Sequence, residues 1–245
     1  MFFSRLNLNL RCPDVLADLT EPYSMHQTIY SLFPAGQVEN GGRLLYRCDF
    51  HHEIGACILY ILSQQKPAWE KLDVNYLLPS LHTINPQYSF FSPIVHRGSM
   101  WRFSLRANPT YKSTPCSVEG NRRKGRRLAL RCEVCPAWEG AHGVERCQLL
   151  TRHRGGSCKQ LYLRWLGRKG EAGGFRLHKA DLLWEGLVDG KPATEANKPF
   201  SMLAVRYEGI LEVINSQQFA DTLRRGIGSG KGFGFGLLTI QPAFF

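Results

Sequence analysis

The chain is 245 residues long, 43% hydrophobic, with a formal net charge of +11; it is long enough to bury a sizeable core, as one large domain or as two of about 100 to 120 residues. Its longest apolar stretch, Ala56 to Leu62, is far too short to span a bilayer, and its first residues alternate like a strand where a signal peptide needs an apolar block. Membrane and secreted classes are therefore excluded at this stage, and a soluble cytoplasmic protein with reduced thiols is expected.

In chain order, Phe2 to Leu10 alternates Leu6, Leu8 and Leu10 with polar residues and predicts a strand. Thr20-Glu21-Pro22 then reads as a helix start, with a capping hydroxyl, a first-turn acid and a proline whose missing N–H does no harm. The helix predicted over Tyr23 to Phe33 has two faces. Met25, Ile29, Leu32 and Phe33 should bury; Tyr23, His26, Gln27 and Tyr30 share another face. A histidine and two tyrosines there are either an ordinary polar face or a catalytic one.

Strands follow at Arg43 to Cys48 and Ala56 to Leu62, then at most a short helix at Pro67 to Leu72, and a stretch to Ser92 rich in Pro, Asn and Ser. The second half begins near Pro93. It offers a strand at Trp101 to Asn108, a helix at Lys159 to Arg168, strands near Phe175 to Leu183 and Ser201 to Ile214, a helix at Gln217 to Arg225 and a strand at Leu237 to Ile240. That order is β-α-β-β-α-β. The expected fold is α+β: tandem ferredoxin-like (RRM-like) domains, residues 1–94 and 95–245, the first with a degenerate second helix.

Charge separates the same two parts. Residues 1 to 96 hold 6 Lys+Arg against 8 Asp+Glu, net −2, whereas residues 97 to 245 hold 25 against 12, net +13. Such asymmetry is the electrostatic footprint of nucleic acid or an anionic membrane, and a solvated basic face with no partner is the plain alternative. Between Pro109 and Gly156, Asn121 to Arg127 packs Arg122, Arg123, Lys124, Arg126 and Arg127 into seven residues. A β-ribbon with a basic tip explains this, and a merely solvated loop explains it equally well. If it is an arm, duplex RNA suits it, being contacted through phosphates and shape. Arg102 and Arg106, at even spacing on one strand, would extend the basic track. Cys132-x-x-Cys135 has metal-ligand spacing but no second pair, only Cys147 and Cys158 with His142 and His153 scattered about them; no metal site is expected.

The most informative segment is Arg224 to Gly236, where six glycines fall on alternate positions around Lys231. Its surroundings read helix, loop, strand, the reverse of a P-loop or dinucleotide turn, and neither glycine spacing of those motifs occurs. No nucleotide cofactor is expected. The backbone at Gly228, Gly230 and Gly232, with Lys231, is instead a candidate contact for a phosphate chain.

Glu21-Pro22-Tyr23-x-x-His26-Gln27 with Leu32-Phe33-Pro34, the strand Arg43-Leu44-Leu45-Tyr46-Arg47, Phe103-x-Leu105-Arg106-Ala107-Asn108-Pro109, and Gly226-Ile227-Gly228 through Gly236-Leu237-Leu238 together resemble the CasE (Cse-type) CRISPR repeat endoribonucleases. These are the RNA-processing subunits of type I-E Cascade. The resemblance runs from the first strand to the last. It implies tandem ferredoxin-like domains that bind the repeat hairpin, cut at the 3′ base of its stem without metal, and keep the mature crRNA for the other Cascade subunits. It also implies His26 as the catalytic residue, Tyr23 beside it, and the glycine-rich loop at Gly226 to Gly236.

The chemistry fits those residues, since RNA carries its own nucleophile and a near-neutral imidazole can move the protons. A two-metal nuclease needs clustered carboxylates, and no D-x-D or D-x-E occurs. The competing reading is a non-catalytic RRM-like RNA-binding protein, because Lys231-Gly232-Phe233-Gly234-Phe235 matches the opening of the aromatic RRM motif. The nuclease reading requires one arrangement: the imidazole of His26 and the glycine-rich loop must meet.

Overall fold

The computed structural model describes residues 1–34, 44–51, 53, 55–78, 95–112, 116–118, 121–123, 127–130, 157–191 and 199–243. Strand β1 (Phe2–Leu8) buries Ser4, Leu6 and Leu8 on one face and pairs antiparallel with β3 (Ala56–Ser63), which pairs on its other edge with β2 (Leu45–His51). Leu77 bridges Leu8 on the free edge of β1. Taking that bridge as the fourth position, the order is 4-1-3-2. The second sheet has the same order, β11-β4-β10-β9, from β4 (Met100–Ala107), β9 (Phe175–Gly190), β10 (Phe200–Val213) and β11 (Leu238–Pro242). The chain therefore folds as tandem ferredoxin-like units, and the degenerate second helix of the first is a single 3-10 turn, Trp69–Lys71.

Helices α1 (Pro13–Thr20) and α2 (Pro22–Ser31) cover the first sheet; α3 (Ser157–Ala172) and α4 (Ser216–Arg225) cover the second. Met25, Ile29, Leu32 and Phe33 are buried, as their spacing predicts. The sequence reading missed α1, and that changes the role of Thr20. Its hydroxyl donates to the Leu16 and Ala17 carbonyls at the end of α1, and Glu21 caps α2 instead, its carboxylate accepting from the Tyr23 N–H at 3.2 Å. Strand β9 also runs on to Gly190 where Leu183 was expected, carried through register shifts in its pairing with β10. That extension brings the Lys191 N–H to the Glu21 carboxylate, 3.3 Å away.

The basic insertion contains strand pairs. β5 (Thr110–Lys112) pairs with β8 (Arg127–Ala129), and β6 (Cys116–Val118) with β7 (Asn121–Arg123). Of the two readings of this run, a ribbon with a basic tip and a solvated loop, the paired strands favour the ribbon, with Arg122 and Arg123 on β7 and Arg127 on β8; Lys124 and Arg126 lie outside the described residues. So do Cys132, Cys135, His142, Cys147 and His153. Among the described residues, no group of three or more His, Cys, Asp and Glu is placed to hold a metal ion, and no helix is long and apolar enough to cross a membrane.

The two sheets are joined in two ways. Leu45, Leu62 and Leu237 form an apolar cluster between them. Beside it Arg47 of β2, 1% exposed, chelates Asp49 (2.8 and 2.9 Å) and donates across the junction to the Ser104 carbonyl (2.9 Å), the Leu237 carbonyl (3.0 Å) and the Thr239 hydroxyl (2.9 Å). Asp49 also receives Arg206 of β10 at 2.9 Å. A guanidinium so enclosed is tolerable only because its donors are matched by acceptors.

Candidate active site

The site forms where α2 of the first unit meets the loop that follows α4 in the second. Asn215 caps α4 by accepting from the Gln218 N–H at 3.0 Å, Phe219, Ala220 and Leu223 bury one face, and Arg224 and Arg225 complement the negative end. The loop then folds upon itself. The Gly226 N–H donates to the Thr222 carbonyl, the Ile227 N–H to the Gly236 carbonyl, the Phe233 N–H to the Gly230 carbonyl and the Gly236 N–H to the Arg106 carbonyl, so these N–H groups are engaged within the protein. Close packing accounts for a glycine here more directly than an open phosphate cradle does: Gly230 has φ +76°, and a Cβ there would stand 2.8 Å from Met202 Sδ.

Between Gly230 and Gly234 the loop makes one 3-10 turn, Lys231–Phe233, and this turn touches α2. His26 Nδ1 lies 2.8 Å from the Gly232 carbonyl oxygen, and the Tyr46 hydroxyl donates to the same oxygen at 2.9 Å. The imidazole packs against Tyr30 (ring centroids 4.0 Å apart) and Phe233 (5.5 Å). Tyr23 meets Phe233 edge-on at 5.2 Å and Phe200 of β10 at 5.3 Å. A Cβ on Gly232 would stand 3.2 Å from His26 Nδ1, close enough that the ring would have to give by a few tenths of an ångström. The arrangement demanded by the sequence reading is present.

The other expected contacts are distributed around this centre. Arg102 and Arg106 share one face of β4, Arg102 exposed and Arg106 half-buried with its guanidinium 4.7 Å from the Phe235 ring centroid and 3.5 Å from where a Cβ on Gly234 would stand. The Lys231 ammonium donates to the Arg225 carbonyl at the end of α4. Its side chain also lines a groove of about 510 Å³ with Thr110, Trp165, Lys169 and Arg225, and His26 is not among the lining residues. The RRM comparison fails on geometry: Lys231–Phe233 is a turn and not a strand, Phe235 is 0% exposed, and Phe233, half-buried, packs against the rings of Tyr23, His26 and Phe200. Sequence reasoning missed Tyr46, whose place in a strand resembles any core aromatic.

Residues 1–242 match the family described as CRISPR associated protein. The chain belongs to that family. The CRISPR-associated endoribonuclease Cse3 of Thermus thermophilus is 29% identical over 251 residues, spanning 99% of this chain and 100% of that protein. Among solved structures, Thermus thermophilus Cse3 bound to an RNA representing a pre-cleavage complex superposes on this family member with a TM-score of 0.70 at 27% identity, covering 98% of each chain. A second Cse3 structure, bound to a 19 nt RNA, gives 0.71 at 27% identity over 99% of this chain and 100% of that one. Cas6e from Escherichia coli K-12 gives 0.60 at 20% identity, over 99% and 100% of the two chains, a likeness in fold.

Proposed function

We propose that this family member is a metal-independent endoribonuclease that binds the stem-loop of a CRISPR repeat transcript and cuts at the 3′ base of the stem. The mature crRNA then stays bound and is carried into the type I-E surveillance complex, Cascade. Residues 1–94 supply the catalytic helix and residues 95–245 the basic RNA-binding surface. The observation that carries the reading is the contact of the His26 imidazole with the Gly232 carbonyl, 2.8 Å across the junction of the two units.

In this reaction the 2′-oxygen bonds to phosphorus, the bond to the 5′-oxygen breaks, and one proton passes in net from the first oxygen to the second. The products are a 2′,3′-cyclic phosphate and a 5′-hydroxyl. His26 is half-buried and moves that proton; Tyr23, on the same helix and one turn away, positions the phosphate. Positive charge at the loop comes from Arg106, whose guanidinium lies over the Phe235 ring, and from Lys231, whose ammonium donates to the Arg225 carbonyl. The net +13 of residues 97 to 245, with Arg102, Arg122, Arg123, Lys124, Arg126 and Arg127 among its sources, draws in the RNA.

Two results test this together. Incubated with the repeat hairpin, the protein is expected to cut in the presence of excess EDTA, and a single 2′-deoxy substitution at the cut site is expected to abolish the reaction. Inhibition by EDTA that magnesium reverses would refute the assignment, as would cleavage of the 2′-deoxy substrate.

A further inference from the structure

We infer that Tyr46 is a positioning residue: with the Gly232 carbonyl it holds His26 in the tautomer protonated on Nδ1, so that Nε2 is the nitrogen presented to the RNA. A carbonyl oxygen only accepts hydrogen bonds. The 2.8 Å approach of Nδ1 to the Gly232 oxygen therefore places a hydrogen on Nδ1, and in the neutral ring Nε2 carries the lone pair. In the opposite tautomer two lone pairs would face each other at that distance, and the ring would leave its seat.

The carbonyl itself is held by Tyr46. Its hydroxyl donates to the Gly232 oxygen at 2.9 Å, so the two donors match the oxygen's two lone pairs. Tyr46 is buried on β2, and burial foremost pushes its phenol well above the usual range, which keeps the hydroxyl a donor. Turning the Gly232 peptide away would strand that buried hydroxyl without its acceptor. Among the described residues the ring's aromatic contacts are with Tyr30 and Phe233, both tilted by 36°, and the Gly232 bond sets the direction in which Nε2 points. The anchor also survives the whole reaction, because Nδ1 keeps its hydrogen whether Nε2 is bare or has taken the 2′-hydroxyl proton. Tyr46 is thus a positioning residue whose hydroxyl is engaged with protein.

This inference rests on the ribonuclease reading, and its test separates the two. With the full chain carrying ¹⁵N-labelled histidine, long-range proton–nitrogen spectra of the neutral ring, recorded at alkaline pH, are expected to show His26 protonated on Nδ1 and bare on Nε2, the signal being assigned with His26→Ala. In Tyr46→Phe the two tautomers are expected to mix, and single-turnover cleavage to slow roughly 10-fold with hairpin affinity held within about twofold, as misaimed groups lose rate and not binding. Gly232→Ala, which crowds Nδ1, should lower the rate in the same way. A bare Nδ1 in the unmodified protein overturns the inference, and so does a Tyr46→Phe protein with unchanged tautomer and rate. Should the expected tautomer be found in a protein that leaves the hairpin uncut, the hydrogen-bond arrangement stands and the nuclease reading falls.

Discussion

His26→Ala is expected to slow hairpin cleavage by about 10²- to 10⁴-fold or more, the usual worth of a positioned proton-transfer group, with little change in RNA affinity. The separation follows from where the groups lie. The imidazole comes from the half of the sequence with net charge −2, whereas the positive charge that attracts RNA belongs to the other half. Little of the fold depends on it, since His26 is half-buried and lies outside the buried pair Met25 and Ile29 of α2, and the Gly232 carbonyl keeps its bond from Tyr46. Single-turnover rates and dissociation constants measured on one preparation decide the matter. An affinity that falls as far as the rate would mark His26 as structural and remove the proposed acid-base group.

Arg47→Ala is expected to cost about 3–5 kcal/mol of stability, the range for breaking a buried ion pair from one side, and to lower the thermal midpoint by roughly 10 °C in a chain of this size. Side-chain exposures of 2% for Arg47 and 5% for Asp49 put this pair in the class where desolvation is large and a missing partner is expensive. Asp49 would keep Arg206, but the carbonyls of Ser104 and Leu237 would lose a buried donor, and the void would lie at the junction of the two sheets. Cleavage should fall as well, because the same junction sets the distance between α2 and the glycine-rich loop. Denaturant midpoints of the variant and the parent, read with cleavage rates below both transitions, test the two effects; an unchanged midpoint would show that the leucine cluster alone holds the sheets together.

Much of this architecture was legible in the sequence because most elements carry a pattern with a single explanation. The period of Met25, Ile29, Leu32 and Phe33 gave α2, and alternation gave β1 and β4. Helix α1 was missed although Pro13 and Asp14 stand where a helix start favours them. The obstacle was Asp18, which is buried and bonded to the Ser24 and Tyr76 hydroxyls, so a charged residue occupies what a periodicity argument expects to be apolar. Arg47 misleads in the same way: on β2 three successive residues, Leu45, Tyr46 and Arg47, are buried because both faces of the strand are covered. A pairing between residues so distant in sequence leaves no local trace. The meeting of His26 with the loop was expected because the family resemblance made both part of one site, while the bonds of Tyr46 to Gly232 and of Lys231 to Arg225 are ones that composition does not encode.

The partners in this centre are far apart along the chain: His26 and Gly232 are separated by 206 positions, Tyr46 and Gly232 by 186, and Arg47 and Thr239 by 192. During translation the helix bearing the imidazole leaves the ribosome long before the segment that aims it has been made. Every unfinished copy therefore lacks the carbonyl that His26 and Tyr46 share, and the proposed centre can assemble only once the glycine-rich loop has been made.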